Sequence, residues 1–157
     1  MLMQFQDYLT HDNIYLWTNL GVLPFWLMLI IIPNSKFTQF FVNSIILPLV
    51  LSATYIYLIY EAIMVDESLF EVFKLYLSLD NLYTLFATES FLLIFWLHFI
   101  ALNLFLGSWI SRDGVRYNMP RKIVFVPLIL VYLSGPVGLV LYWIVRVFYA
   151  KRISFHD

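Results

Sequence analysis

The chain of 157 residues is 62% hydrophobic and 20% aromatic, and only 12% of its residues are charged. A soluble domain usually carries about a quarter charged residues, so this composition favours a membrane protein. The formal net charge of −1 gives no electrostatic reason to expect a nucleic-acid partner. Because the chain has no cysteine, it forms no disulfide, thiolate nucleophile or cysteine-bound metal site.

Four uncharged apolar runs dominate the sequence. Each is long enough to cross a bilayer as a helix, which takes roughly 20 residues. In hydrocarbon every backbone group has to be paired within its own segment, so runs of this kind form helices. The predicted fold is all-α, a single domain over residues 1–157, in which four transmembrane helices form an up-down bundle. Their predicted limits are about 14–32, 40–60, 90–110 and 123–145.

The ends of the first run bear on how the chain lies in a membrane. Residues 1–13 contain no lysine or arginine, so the first run is interpreted as a retained span rather than a signal peptide. Pro33-Asn34-Ser35-Lys36 predicts a tight turn that makes spans one and two antiparallel neighbours. The absence of basic residues before the first span favours both termini on the outer side.

The linker between spans two and three contains a separate helical pattern. Ser68-x-x-Glu71 resembles a capping box, and apolar residues follow at helical spacing at Leu69, Phe73, Tyr76 and Leu79. These features predict an amphipathic helix over about 67–79 that lies in the membrane interface. Two interpretations stay open for it, a lid over a ligand and a short packing helix.

An up-down bundle places three charged residues near one interface: Glu61, Glu89 and Arg146. Charges at membrane depth are costly unless they are paired, which predicts an ion pair between Arg146 and Glu61 or Glu89. The alternative is that both acids lie in headgroup water and that Arg146 extends its charged group to the interface.

His98 is the titratable residue deepest within a predicted span. It follows Glu89 by nine residues, about 13 Å along a helix. An ionisable group at that depth is a candidate for function, and a structural histidine bonded to a neighbouring helix is the alternative. One deep histidine does not supply the ligand set of a metal site.

Several residues are candidates for a ligand cavity. Trp96 and Asn103 lie on nearly the same helical face as Glu89. Tyr57 and Tyr132 either pack against a flat polyene or ring, or serve as interfacial belt residues or in simple packing. In span four, Pro136 between two glycines predicts a kink or a tight helix crossing. The freed carbonyls either line a cavity or simply reflect close packing.

The chain resembles the abscisic-acid-deficient-four family of small four-span proteins, which is linked to neoxanthin synthesis in plants and has bacterial relatives. The resemblance covers residues 21–145. Its elements are Val22-Leu23-Pro24-Phe25, Pro33-Asn34, Tyr55-Ile56-Tyr57-Leu58, Thr88-Glu89, Trp96-Leu97-His98, Leu104-Phe105, Asp113-Gly114 and Gly135-Pro136-Val137-Gly138. Their order and spacing together carry the resemblance.

The resemblance implies a carotenoid isomerase without a consumed cofactor, since the plant relatives are required to convert violaxanthin to neoxanthin. Glu89 and His98 would then supply the acid and the base. It also implies a multi-pass protein of a bacterial inner membrane, with the lipid bilayer and a carotenoid or other isoprenoid as partners. Assembly into a homo-oligomer stays open.

Two positions depart from the family pattern, which has an aspartate before the Leu-Phe pair and an arginine five positions later. This chain has Asn103 and Ser108 there. If the charged pair is catalytic in the family, this chain does not catalyse the plant reaction. The alternative function is therefore a non-catalytic isoprenoid-binding or accessory membrane subunit.

Overall fold

A computed structural model describes residues 9–44, 46–65 and 77–151 of the chain. This part of the protein is helical and contains no strand, which confirms the all-α prediction. The helices are α1 His11–Ile31, α2 Lys36–Phe41, α3 Ile46–Val65, α4 Leu79–Phe86, α5 Glu89–Arg116, α6 Arg121–Ser134 and α7 Pro136–Ala150.

The contacts divide the chain into two compact units. The first consists of the residues up to Leu20 together with Leu49–Phe99, and the second of Gly21–Pro48 together with the residues from Ile100 onward. Helices α1 and α5 contribute residues to both units. The predicted single domain over residues 1–157 stays a prediction.

Hydrogen bonds at both ends of α1 explain its limits. At the start, the Thr10 hydroxyl accepts a hydrogen bond from the Asn13 amide at 3.3 Å, as an N-cap side chain does. After the end, Ser35 caps α2 by accepting from the Thr38 amide at 3.0 Å. The Thr38 hydroxyl donates to the Ile32 carbonyl at 2.8 Å. These bonds hold the predicted turn after span one.

The second predicted span is displaced along the chain. We expected one helix over 40–60, whereas α2 ends at Phe41 and α3 begins at Ile46. The run carries no charge, and Asn43 and Ser44 are the two polar residues within the break, so hydropathy averaged over the run does not reveal it. Within the break the Ser44 hydroxyl accepts from the Ile46 amide at 3.2 Å, which is the local side-chain bonding that favours a new helix start.

Two helices of the described part are long and apolar enough to cross a membrane, α1 and α5. The stretch Leu49–Met64 of α3 and the whole of α7 are apolar but shorter. By length and hydropathy, the structure therefore supports two of the four predicted crossings.

The interfacial helix predicted over about 67–79 falls mostly on residues outside the described ranges. What the structure shows beside it is α4, which begins at Leu79. Ser78 caps this helix, because its side chain accepts from the Asn81 amide at 3.2 Å. No residue of α4 is buried, and Leu79 and Tyr83 are 79% and 76% exposed.

The fourth predicted span is not one helix. It is divided at Gly135 into α6 and α7, and α7 folds back along α6. In a continuous helix, Gly138 would lie about 16 Å along the axis from Pro127. Instead, the α-carbon of Gly138 packs against the backbone of Val131 and Pro127. The expected kink is therefore a reversal, so residues 123–145 do not form one continuous helix and the four-span bundle is not confirmed.

Three residues cause this reversal. Gly135 has φ +51°, a conformation that L side chains rarely adopt. Pro136 donates no backbone hydrogen bond and suits the first position of a new helix. Gly138 has no β-carbon, which permits the close approach of α7 to α6. Helices of 14 and 15 residues are about 21 Å and 22 Å long, shorter than the roughly 30 Å hydrocarbon core.

In a bilayer, such a hairpin enters and leaves on the same side. Because the natural chain has no cysteine, single cysteines placed at Pro120→Cys and Lys151→Cys report the two ends of the hairpin. We expect a membrane-impermeant maleimide to label both variants in the same preparation, intact cells or inverted vesicles. Labelling after permeabilisation is the control for reactivity. Labelling of the two positions from opposite sides would restore the four-span arrangement.

Candidate functional site

A cleft of about 280 Å³ lies between α1 and α5 in the first unit. Seven residues line it: His11, Asp12, Tyr15, Glu89, Leu92, Leu93 and Trp96. Polar side chains come from the first turn of each helix, and aromatic and leucine side chains from the turns that follow. The cleft therefore has a polar end and an apolar wall.

An imidazole lies between two carboxylates at the polar end. His11 Nδ1 is 3.1 Å from Glu89 Oε1, and His11 Nε2 is 3.8 Å from Glu61 Oε2. The side chain of Glu89 is 74% exposed and that of His11 is 25% exposed. Imidazole and carboxylate groups in hydrogen-bond reach are suited to exchange a proton, and Glu89 is also accessible from outside.

Trp96 forms the aromatic part of the wall. Its indole N–H donates to Asn19 Oδ1 at 3.2 Å, which fixes the orientation of the ring. The ring lies 6.1 Å from that of Tyr15 and is stacked on Phe99 at 5.4 Å. Trp96 follows Glu89 by seven residues, so both project from nearly the same face of α5. The structure thus brings these two predicted site residues together.

The other predicted catalytic residue, His98, lies elsewhere in this unit. Nine residues at 100° each place it on the face of α5 opposite to Glu89. It is exposed, and its ring lies 5.9 Å from that of Tyr55. The structure does not bring Glu89 and His98 into one site. Tyr57 is half-buried on α3 and is not part of the cleft wall.

A second polar cluster lies in the second unit and is almost completely buried. Asp113 Oδ2 accepts a hydrogen bond from Arg146 Nε at 2.7 Å and another from the Tyr142 hydroxyl at 2.7 Å. The side chains of Arg146 and Asp113 are 2% and 8% exposed. Arg146 also donates to the Tyr117 hydroxyl at 3.3 Å. The predicted ion pair of Arg146 with Glu61 is thus not what the structure shows, since Arg146 lies against Asp113 and Glu61 against His11.

Aromatic rings complete the surroundings of Arg146. Its guanidinium lies 5.0 Å from the ring centres of both Tyr117 and Trp143. Trp109 is stacked on Trp143 at 6.3 Å and meets Tyr142 edge to face at 5.6 Å. Cation–π contacts of this kind are worth about 0.5–2 kcal/mol each and replace part of the lost hydration. The cluster joins α7 to the end of α5.

The remaining predicted ligand-binding residues also lie in the second unit. Asn103 is buried with its carboxamide against Gly135. Tyr132 packs edge to face on Trp26 at 5.4 Å, and Pro136 is exposed at the start of α7. None of the three lines the cleft.

Sequence reasoning missed His11, Tyr15, Asp113 and Tyr142. His11 precedes the first predicted span and Asp113 lies between the third and fourth predicted spans, whereas the structure places both within helices. One signal was available, because Tyr142 and Arg146 are four residues apart and so lie on the same helical face.

Removing Asp113 takes away the carboxylate that balances the buried positive charge of Arg146. We expect Asp113→Ala to lower the free energy of unfolding by about 3–5 kcal/mol, because Arg146 and the Tyr142 hydroxyl both lose their acceptor. Thermal or denaturant unfolding of the purified protein measures this effect.

Two further variants separate charge burial from general damage. The double variant Asp113→Leu, Arg146→Met should recover most of the loss, since apolar residues of similar size often replace a buried ion pair without cost. Asp80→Ala, on exposed α4, is the matched control and should change stability by less than about 0.5 kcal/mol. Wild-type stability of Asp113→Ala would show that the pair contributes nothing.

Comparison with known proteins adds the family. A curated relative, Protein ABA DEFICIENT 4, chloroplastic, from Arabidopsis thaliana, is 24% identical over 128 residues. The match covers 80% of this chain and 57% of that protein, so the chain spans little more than half of the relative's length. No solved structure matches. The family model described as ABA DEFICIENT 4-like matches residues 13–142, and the chain therefore belongs to the ABA4-like family.

Proposed function

We propose that this chain is a membrane protein that binds a carotenoid-like isoprenoid in the cleft of the first unit and isomerises its epoxidised end ring. The observation that carries the proposal is the combination of an aromatic and leucine wall with a carboxylate–imidazole pair 3.1 Å apart. Membership of the ABA4-like family supports the ligand class.

The distribution of apolar surface supports a bilayer as the surrounding medium. The most apolar stretches of α1 and α5 are only 22% and 33% buried. A core helix of a soluble protein would bury most of such a stretch, because exposed apolar patches of this size are unfavourable in water. Lipid chains are the partner that covers them without cost. A bacterial inner membrane is the location we propose.

The cleft fits one end of a xanthophyll. The polyene and the methyl groups of the end ring suit the wall formed by Tyr15, Leu92 and Trp96, and ring-to-ring packing gives orientation. The oxygen of the end ring then lies at the polar end, beside His11 and Glu89. Apolar lining with a few converging polar groups is typical of small-molecule sites.

The proposed reaction needs one acid and one base and changes no atom count. Protonated His11 donates its proton to the epoxide oxygen, and the carbon–oxygen bond breaks to leave a hydroxyl group. Glu89 removes a proton from the adjacent polyene carbon. The electron pair of the broken carbon–hydrogen bond forms the new carbon–carbon double bond of the allene. Transfer of the proton from Glu89 to His11 across their 3.1 Å contact restores both groups.

One observation favours the non-catalytic alternative, an isoprenoid-binding accessory subunit. Ser108, one of the two positions at which the family pattern has a charge, donates a neutral hydrogen bond to Asn43 at 2.7 Å. A binding subunit needs the apolar wall but no proton transfer. The two functions therefore differ in whether the ligand leaves chemically changed.

Incubation of the purified protein with violaxanthin separates these functions. We expect neoxanthin as the product by chromatography, and a rate loss on the order of 100-fold or more in Glu89→Gln, because the carboxamide is not a base. His11→Gln should lose a similar factor. His98→Ala and Asp80→Asn are the controls and should keep the wild-type rate.

Three other results would change the proposed function or the residues assigned to it. Bound but unchanged violaxanthin would establish the accessory function. Full activity in Glu89→Gln would remove the cleft from the mechanism. A strong loss in His98→Ala would return the chemistry to the opposite face of α5.

A further inference from the structure

Among the described residues of the second unit, Asn103 carries a buried amide without a partner. The residue is 7% exposed, and its Nδ2 atom is fully buried and makes no hydrogen bond to any residue in the described ranges. Buried polar side chains are nearly always hydrogen-bonded, and an amide left unpaired is destabilising. A side chain in this state points to a partner beyond the described residues.

The amide lies at the point where the chain reverses between α6 and α7. Its carboxamide packs against Gly135, the residue that precedes α7. The first N–H groups of a helix have no partner within that helix, and Gly135 has no side chain to cap them. Pro136 has no N–H group, which leaves the Val137 amide as the first donor of α7. The Asn103 carboxamide thus lies beside the start of a 15-residue helix, with Oδ1 nearer to Gly135 than Nδ2 is.

The surface next to this place is apolar and exposed. Leu133 and Val137 are 64% and 57% exposed, and Pro136 is also exposed. Asn103 itself lies thirteen residues before Arg116, about 20 Å from the end of α5. An anion at such a distance from the interface is costly, so the chemistry favours a neutral oxygen.

We propose that Asn103 and the first turn of α7 form a subsite for a hydroxyl or carbonyl oxygen of a lipid-soluble ligand. Asn103 Nδ2 and the helix start donate to the oxygen, and Asn103 Oδ1 accepts from the hydrogen where the group is a hydroxyl. The ligand class rests on the proposed isoprenoid binding. The subsite itself belongs to the second unit, whereas the cleft belongs to the first.

Two carotenoids that differ only in hydroxyl groups test the subsite. Zeaxanthin carries two ring hydroxyls, and β-carotene has the same polyene and none. Each pigment is titrated into the purified protein, and quenching of the five tryptophans reports binding. We expect wild type to bind zeaxanthin roughly three- to tenfold more tightly, the factor that one recovered hydrogen bond gives. In Asn103→Leu the preference for zeaxanthin should fall by this factor through weaker zeaxanthin binding, and any preference that the polar end of the cleft gives should remain.

Ser108→Ala is the matched control, because Ser108 is a buried polar residue of the same helix whose hydroxyl is already paired. It should keep the preference for zeaxanthin. Without pigment, Asn103→Leu should melt at or above the wild-type temperature, since an unpaired amide is replaced by an apolar group of similar size.

The possible failures are distinguishable. Equal binding of the two pigments by wild type, or a preference of undiminished size in Asn103→Leu, would overturn the subsite alone. A lower melting temperature of Asn103→Leu would overturn it as well, because the amide would then have a structural partner. Binding of neither pigment would overturn the subsite and the proposed function together.

Discussion

The buried contact between Asp113 and Arg146 is the constraint on which the second unit depends. Removing two charges from water costs several kcal/mol per ion, and attraction offsets this only when the geometry is close and the remaining hydrogen-bonding groups are satisfied. Here the carboxylate accepts from Arg146 and Tyr142, and two aromatic rings lie within 5.0 Å of the guanidinium. These contacts hold the end of α7 against the end of α5. Because α7 follows the reversal at Gly135, these contacts also keep α7 in its folded-back position.

The two polar clusters differ in how accessible they are to a ligand. This difference indicates which cluster has a structural role and which one is suited to chemistry. The charged groups of Asp113 and Arg146 are buried and paired, so a ligand would have to break existing hydrogen bonds to reach them. In the first unit Glu89 is largely exposed at the end of a cleft and stays in contact with an imidazole. A reacting group has to meet its ligand, which is why we assign the chemistry to His11 and Glu89. The Asp113 cluster fixes the helices instead.

The sequence was sufficient for the helical class, the family and the helices α1 and α5, because long apolar runs leave few alternatives. The sequence did not predict the helix break after Phe41 or the chain reversal at Gly135. At both positions the segments on the two sides have similar hydropathy. Glycine and proline marked the second position but did not distinguish a kink from a hairpin. Pairs distant in sequence, such as Asp113 with Arg146, depend on that hairpin and follow only from the fold. The separation of Glu89 from His98 was available from helix geometry, because nine residues make a half turn more than two full ones.

If the protein holds an isoprenoid, that ligand should remain bound during purification. The protein is purified in mild detergent from a host that makes carotenoids, its visible absorption is recorded, and the bound pigment is identified by mass spectrometry. We expect a carotenoid-type pigment in stoichiometric amount. Colourless protein from several such hosts, with no isoprenoid detected, would contradict this expectation.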